Sequence, residues 1–384
     1  MTATSHGVGA DWDRLIERLS RRFTVARTDA SQLEALCAFF QRAYADQPVA
    51  AAFQDAARIR QRWRWVNEQN PVPLDGHVPA WVCLHDGEII GHFAALPVTA
   101  VVQGQAVPIC WGRDLIVAPA FRRHGIGPLL IMTVARAVQR PFFIAGLNET
   151  VYPMYRRLGF QDHGSLPLYL KVYDPQRLVE TMQWPRVAQR VVAGALRVVR
   201  PLNRIRRRRS TVSMCAWDGF DNRFDRWWEQ LELKRRFTCV VRRTSPTMAW
   251  RYGQSPEHQY AIFAAMDGNH VRGVTVVRHG SSRGLPAGFI TELLADPDDR
   301  DAMDGLLGHA EAHLRATAPE PLVFLRCTML HRATERALRR AGFLRAPSPI
   351  HWMRGPAPTF ALPSGVDRRD QWFLSAGDSD LDLL

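Results

Sequence analysis

The chain changes its hydrophobic period several times, and each change marks an element. Phe23 to Arg27 alternates like a short strand. Leu33, Leu36, Cys37 and Phe40 then recur at helical spacing behind Ser31-Gln-Leu-Glu34, a capping-box pattern in which serine and glutamate would satisfy each other's amides. A second helical stretch runs from about Ala51 to Asn67. The period shortens after it. Trp81-Val-Cys-Leu84 and Ile89-Ile-Gly-His-Phe93 flank Asp86-Gly87, a turn pair that accepts φ > 0 and predicts a tight hairpin. Further strands are expected from about Val98 and up to Leu115-Ile116-Val117. A basic, glycine-containing loop from Pro119 to Gly127 leads into a helix over Pro128 to Gln139. A buried strand at Phe142 to Ala145 and a short helix over Thr150 to Leu158, ended by Gly159, complete the plan before strand-like Leu168-Tyr-Leu170.

The second half repeats this order. Asp267-Gly268, Pro297 and Gly342-Phe343 answer Asp86-Gly87, Pro119 and Gly159-Phe160 at a nearly constant offset of roughly 180 residues, which predicts a duplicated domain. Arg156-Arg-Leu-Gly-Phe160 is matched by Arg339-Arg-Ala-Gly-Phe343. Between the halves, Arg186 to Arg209 holds nine arginines and no acid, with Val187, Val191, Val192, Ala195, Leu196 and Val199 as an apolar face. An amphipathic linker helix packed on one lobe is expected, with membrane-surface or nucleic-acid contact as the alternatives.

Composition adds limits. At 384 residues, with 46% apolar and 23% charged, the chain is an ordinary globular protein of two or three domains. No run is long enough to span a bilayer, and Met1 to Phe23 lacks the apolar core of a secretory leader, so a cytoplasmic protein is expected. The six cysteines are scattered without a CxxC pair, which argues against a zinc site or disulfide framework. The net charge of +13 suggests an anionic ligand or surface, but much of it is the linker, and nucleic acid is not the expected partner.

The chemistry concentrates at Leu115-Ile-Val-Ala-Pro-Ala-Phe-Arg-Arg-His-Gly-Ile-Gly-Pro128. A strand, a turn of arginines and glycines, and a helix start together make an anion site. Backbone amides and the helix dipole converge there, Gly125 and Gly127 permit close approach, and Arg122 and Arg123 add charge. Neither the Gly-Lys-Ser/Thr of a P-loop nor the three glycines of a dinucleotide fingerprint is present.

Arg122-Arg-His-Gly-Ile-Gly127 resembles the Arg/Gln-x-x-Gly-x-Gly/Ala loop of the GNAT acyltransferase superfamily. Val117-Ala-Pro119 before it, and Asn148, Tyr155 and Gly159-Phe160 after it, are similar to that family's other marks in the same order. The resemblance is detailed over about residues 20–173 and extends in outline to 215–355. It implies an α/β fold of two tandem GNAT-like lobes, each a mixed, mostly antiparallel sheet flanked by helices. The implied organisation is an acyl-CoA-binding lobe at 20–175, a basic helical linker at 176–214, a degenerate lobe at 215–355 and a tail at 356–384.

The resemblance also implies roles. Acetyl-CoA, or another acyl-CoA, would lay its pyrophosphate on the amides of Arg123, His124, Gly125, Ile126 and Gly127, beside Arg122. Its pantetheine would pair with Leu115, Ile116 and Val117, and Asn148 would contact it. Tyr155 would protonate the leaving thiolate; its other reading is local packing. Asp114 or Glu149 would be the general base, each also readable as structural. The implied reaction is acetyl transfer to a primary amine, on a small molecule or a sugar, by direct attack and without a metal. A non-catalytic CoA-binding module and an aminoacyl-tRNA-dependent transferase on the same fold are the alternatives. The second lobe departs from the pattern: Ala295-Asp-Pro-Asp-Asp-Arg-Asp301 replaces the loop, and His331 and Leu338 replace asparagine and tyrosine. Asp378, Asp380 and Asp382 are expected to form a solvated or substrate-facing tail, since no calcium loop can close around them.

Overall fold

The computed structural model describes residues 14–45, 53–147, 151–182, 184–202, 212–356 and 363–382. They form two units, neither of which is a contiguous half. Unit one comprises the chain up to Ala100, Ala106–Gly164 and Pro349–Pro363; unit two comprises Val101–Gln105, Ser165–Ser348 and Ser364–Leu384.

Unit one is a mostly antiparallel sheet with helices against it. Helix α1 (residues 14–20) precedes β1 (Thr24–Arg27), α2 (Leu33–Ala43) and α3 (Ala56–Asn67). Then come β2 (Ala80–His85), β3 (Glu88–Val102), β4 (Gln105–Val117), α4 (Ile126–Ala137), β5 (Phe142–Leu147), α5 (Tyr152–Arg157) and β6 (Gln161–Ser165). The Asp86-Gly87 hairpin forms as expected, with both residues at positive φ. The Ser31–Glu34 capping box does not. Asp29 accepts from the Ser31 amide, and Glu34 turns to Arg60 on α3 at 2.6 Å, a charged partner that outcompetes a backbone amide. Helix α3 is capped instead by Asp55, which accepts from the Ala57 amide at 2.8 Å. Ile126, Leu129, Leu130 and Val134 of α4 pack with Phe93, Phe142 and Ile144 of the sheet.

Unit two repeats the plan. Its strands are β7 (Leu168–Val172), β8 (Ser213–Ala216), β9 (Cys239–Val241), β10 (Ala261–Asp267), β11 (His270–Ser282), β12 (Leu285–Ala295), β13 (Phe324–Leu330), β14 (Leu344–Ala346) and, near the chain end, β16 (Trp372–Ser375). Its helices are α6 (Pro175–Glu180), α7 (Arg186–Leu202), α8 (Asn222–Leu233), α9 (Ser245–Met248), α10 (Arg300–Ala316) and α11 (Arg332–Arg340). Leu306, Leu307, Ala310 and Leu314 of α10 fill the core against β10 to β13.

The final strand of each half lies in the other unit. In unit one, β15 (His351–Arg354) sits between β5 and β6, pairing with β5 at Ile144↔Met353 and Phe143↔Arg354. In unit two, β7 sits between β13 and β14, pairing at Arg326↔Leu170 and Leu344↔Leu170. The expected contiguous boundaries at 175 and 355 therefore do not coincide with the compact units. The reason is reciprocal pairing: each slot between fifth and sixth strands is filled from the other half of the chain.

The acidic tail is not solvated. Strand β16 pairs with β13 at Met329↔Ser375 and Leu330↔Leu374, and the aspartates after it are buried. Asp378 meets Arg243 at 2.8 Å, and Asp382 meets Arg278 at 2.9 Å while accepting from the Tyr260 hydroxyl at 2.7 Å.

Candidate active site

In unit one, β4 and β5 run parallel but stay in register only at Cys110↔Phe142 and Trp111↔Phe143. Beyond Trp111, β5 pairs with β15 on its far side. Gly112 lies at the divergence, where a Cβ would stand 2.7 Å from Phe93 and 2.8 Å from Phe142. Asp114 follows at φ +53, a kink in the strand. Leu115, Ile116 and Val117 thus edge a cleft between two splayed strands, with Ile116 buried.

The strand leads straight into the basic loop. Arg122, Arg123 and His124 are exposed; Arg122 donates from Nε to the Val117 carbonyl at 3.2 Å, and His124 Nδ1 stands 3.2 Å from the Arg122 carbonyl. Arg123 and Gly125 both hold positive φ, +72 and +82, and Gly125 is the N-cap of α4. Successive right- and left-handed residues turn their amides toward one concavity, and the first-turn amides of a helix have no carbonyl within it to bind. Ile126 faces the core, so only its backbone is available there. At Gly127 a Cβ would stand 3.4 Å from the Met154 sulfur, which brings α5 alongside the loop. Tyr155, next on α5, is buried edge-on to Phe160 at 4.8 Å between ring centroids. Asn148 and Glu149 lie outside the described residues.

Asp114 has a defined electrostatic setting. Burial by itself would raise its pKa, but Arg62 at 2.9 Å and its neighbour Arg113 outweigh that and hold the carboxyl well below the usual range. Arg113 also donates to Asn67 at 2.6 Å. His92 Nδ1 stands 3.0 Å from the Asp114 carbonyl, which can only accept, so this nitrogen carries the proton. Burial lowers the His92 pKa to about 4, so the ring is neutral at neutral pH.

A second polar group lies where sequence reading did not look. His351, opposite Leu147 at the end of β5, has Nδ1 3.4 Å from Asp162; the Tyr152 hydroxyl donates to Asp162 at 2.6 Å, and the Tyr152 and His351 rings are 4.3 Å apart. His351 and Asp162 are 189 positions apart, and no local motif links them.

The matching places in unit two are occupied by protein. Asp299 caps α10 by accepting from the Ala302 amide at 3.0 Å and pairs with Arg272 at 2.7 Å. Arg236 binds Asp296 at 2.5 Å and also Asp298. The carboxylates are thus neutralised locally, and one already sits on the helix N-terminus. Parallel β12 and β13 are in register from Ala287↔Phe324 to Ile290↔Cys327, after which β16 takes up the edge of β13. Leu338 is buried, and His331 packs between Phe237 and Phe373, its pKa lowered by burial to about 4. Among the described residues no three His, Cys, Asp or Glu side chains converge as a metal site.

Residues 76–162 match the family model for the acetyltransferase (GNAT) domain. Solved structures extend the likeness in fold across both units. A GCN5-related N-acetyltransferase from Anabaena variabilis is similar with a TM-score of 0.57 at 13% identity, covering 87% of this chain and 72% of its own. A conserved protein of unknown function from Enterococcus faecalis gives 0.55 at 14% identity, covering 86% and 72%. The Saccharomyces cerevisiae N-myristoyltransferase, solved with bound myristoyl-CoA, gives 0.54 at 11% identity, covering 87% and 82%. No curated protein matches the chain.

Proposed function

We propose that unit one binds one acyl-CoA and transfers its acyl group, acetyl in the simplest case, to a primary amine. The observation that carries this reading is the glycine-capped start of α4 beside an open strand edge. The amides of residues 123–127 and the Arg122 and Arg123 charges would receive the pyrophosphate, and the edge of Leu115 to Val117 would receive the pantetheine amides. Asn148 would contact the cofactor. Tyr155, on the helix beside the loop, would donate its proton to the departing thiolate.

The base is better sought at His351 than at Asp114. A carboxylate paired with Arg62 and Arg113 gives up its negative charge reluctantly and is a weak proton acceptor, so Asp114 orients these arginines and the strand kink. An imidazole with a carboxylate at one nitrogen keeps the other for the ammonium of the acceptor. Direct attack by the amine is the supported route, because burial pushes the thiol of Cys110, the cysteine of β4, up to about 12 and leaves it no thiolate to carry the acyl group. The acceptor class is a small-molecule or sugar amine. Release of free thiol from acetyl-CoA in the presence of pooled amines tests the reading; no release with any amine, with binding intact, would leave a CoA-binding module in its place.

A further inference from the structure

Helix α7 has two unlike faces. The inner one is anchored in unit two. Ala193 is buried, Leu196 packs against the cluster that includes Leu178, Leu285, Val323 and Phe324, and Gln189 donates to the carbonyls of Met182 and Trp184 at 3.0 and 3.2 Å. The outer face is bare. Val187 is 73% exposed, Val191 66%, and Trp184, just ahead of the helix, 45%. Among the described residues five large apolar side chains stand exposed, so three of the five belong to this one stretch. Val187 and Val191 lie four apart and form one column on the helix surface; Arg186 and Arg190, also exposed, form the column beside it.

The charge indicates what covers this face. The sequence from Arg186 to Arg209 holds nine arginines and no acid. An occupant must accept apolar side chains and supply negative charge along the same line. Nucleic acid would take the arginines and leave the valines in water. A second copy would set the same arginine column against itself. A bilayer with anionic headgroups meets both needs, with phosphates at the surface and hydrocarbon just beneath. No helix among the described residues is long and apolar enough to cross a membrane, and the polar flank of α7 suits it to lie in the interface plane. We propose that α7 is a peripheral anchor that seats the chain on an anionic lipid surface, with Trp184, Val187 and Val191 entering the acyl boundary and the arginines on the phosphates.

The test is sedimentation of the full chain with vesicles of phosphatidylcholine alone and with an equal mixture of phosphatidylcholine and phosphatidylglycerol. Retention is expected on the mixed vesicles only, weakening as salt is added. The Val187→Asp/Val191→Asp variant should lose roughly tenfold or more in affinity, with thermal unfolding unchanged because both side chains are already exposed. Arg186→Gln/Arg190→Gln should lose about tenfold. Equal retention on both vesicle types, no retention on either, or mixed-vesicle binding that the valine variant leaves unchanged would each overturn the proposal. The last of these would mark a purely polyanion-binding surface.

Discussion

Tyr155 and His351 divide the proposed proton traffic between them, and single substitutions separate their roles from structure. Tyr155→Phe keeps the buried ring and removes only the hydroxyl, so kcat should fall roughly 10–1,000-fold while acetyl-CoA affinity holds. Unchanged turnover with a good amine would remove Tyr155 from the mechanism. His351→Gln should lower kcat by about 100-fold in the same assay. Asp114→Asn should act differently: it strands two arginines, so its first effect should be a lower thermal midpoint. If His351→Gln is neutral and Asp114→Asn abolishes turnover in a folded protein, the base assignment reverses. His92 predicts a pH effect. Its folded pKa is depressed to about 4, so its contribution is complete above the unfolded value near 6.5 and is lost as pH falls toward 4. The loss should reach about 3 kcal/mol. His92→Asn, which keeps a donor for the Asp114 carbonyl, should flatten the fall in unfolding free energy between pH 6.5 and 4.

Among the elements, the start of α4 and the start of α10 are the same device with opposite occupants. At α4 the cap is Gly125 in a left-handed conformation, and it makes no side-chain cap hydrogen bond. At α10 the cap is Asp299, whose carboxylate already holds the position an anion would take. Gly125→Glu strains a positive φ, pushes against Leu19 of α1 and brings negative charge, so acetyl-CoA binding should disappear in a titration. Asp298→Asn/Asp299→Asn should leave binding as it was, since that helix start takes no part; a marked loss there would place cofactor in unit two. The strand, turn and helix start proposed to hold the cofactor were legible in the sequence because their parts, Val117 to Gly127, are contiguous. The His351–Asp162 pair was not, because nothing near either residue announces the other.

At the scale of the molecule, the duplication was legible and the strand exchange was not. Asp-Gly turns and Gly-Phe caps repeat with their halves, but β7 and β15 carry the same alternation whichever sheet receives them. Alternating aspartates at 378, 380 and 382 read as solvated because Arg243 and Arg278, which pair with Asp378 and Asp382, are more than a hundred positions earlier in the chain. The exchange has a consequence. A chain ended at Pro175 would lack the strand between β5 and β6 and would carry an unpaired β7, two exposed edges in one fragment. It should aggregate on expression, and co-expression with residues 176–384 should restore soluble protein; a soluble, monomeric fragment would contradict the pairing.

This duplicated fold is expected to keep one cofactor site. In unit one β4 and β5 stay in register only at Cys110↔Phe142 and Trp111↔Phe143, and among the described residues no side chain caps the start of α4. In unit two β16 lies along β13 and Asp299 caps α10. Calorimetric titration of the intact chain with acetyl-CoA measures this directly. One molecule should bind per chain, and none to Gly125→Glu. Two sites of similar affinity, or full binding by the Gly125→Glu variant, would contradict it.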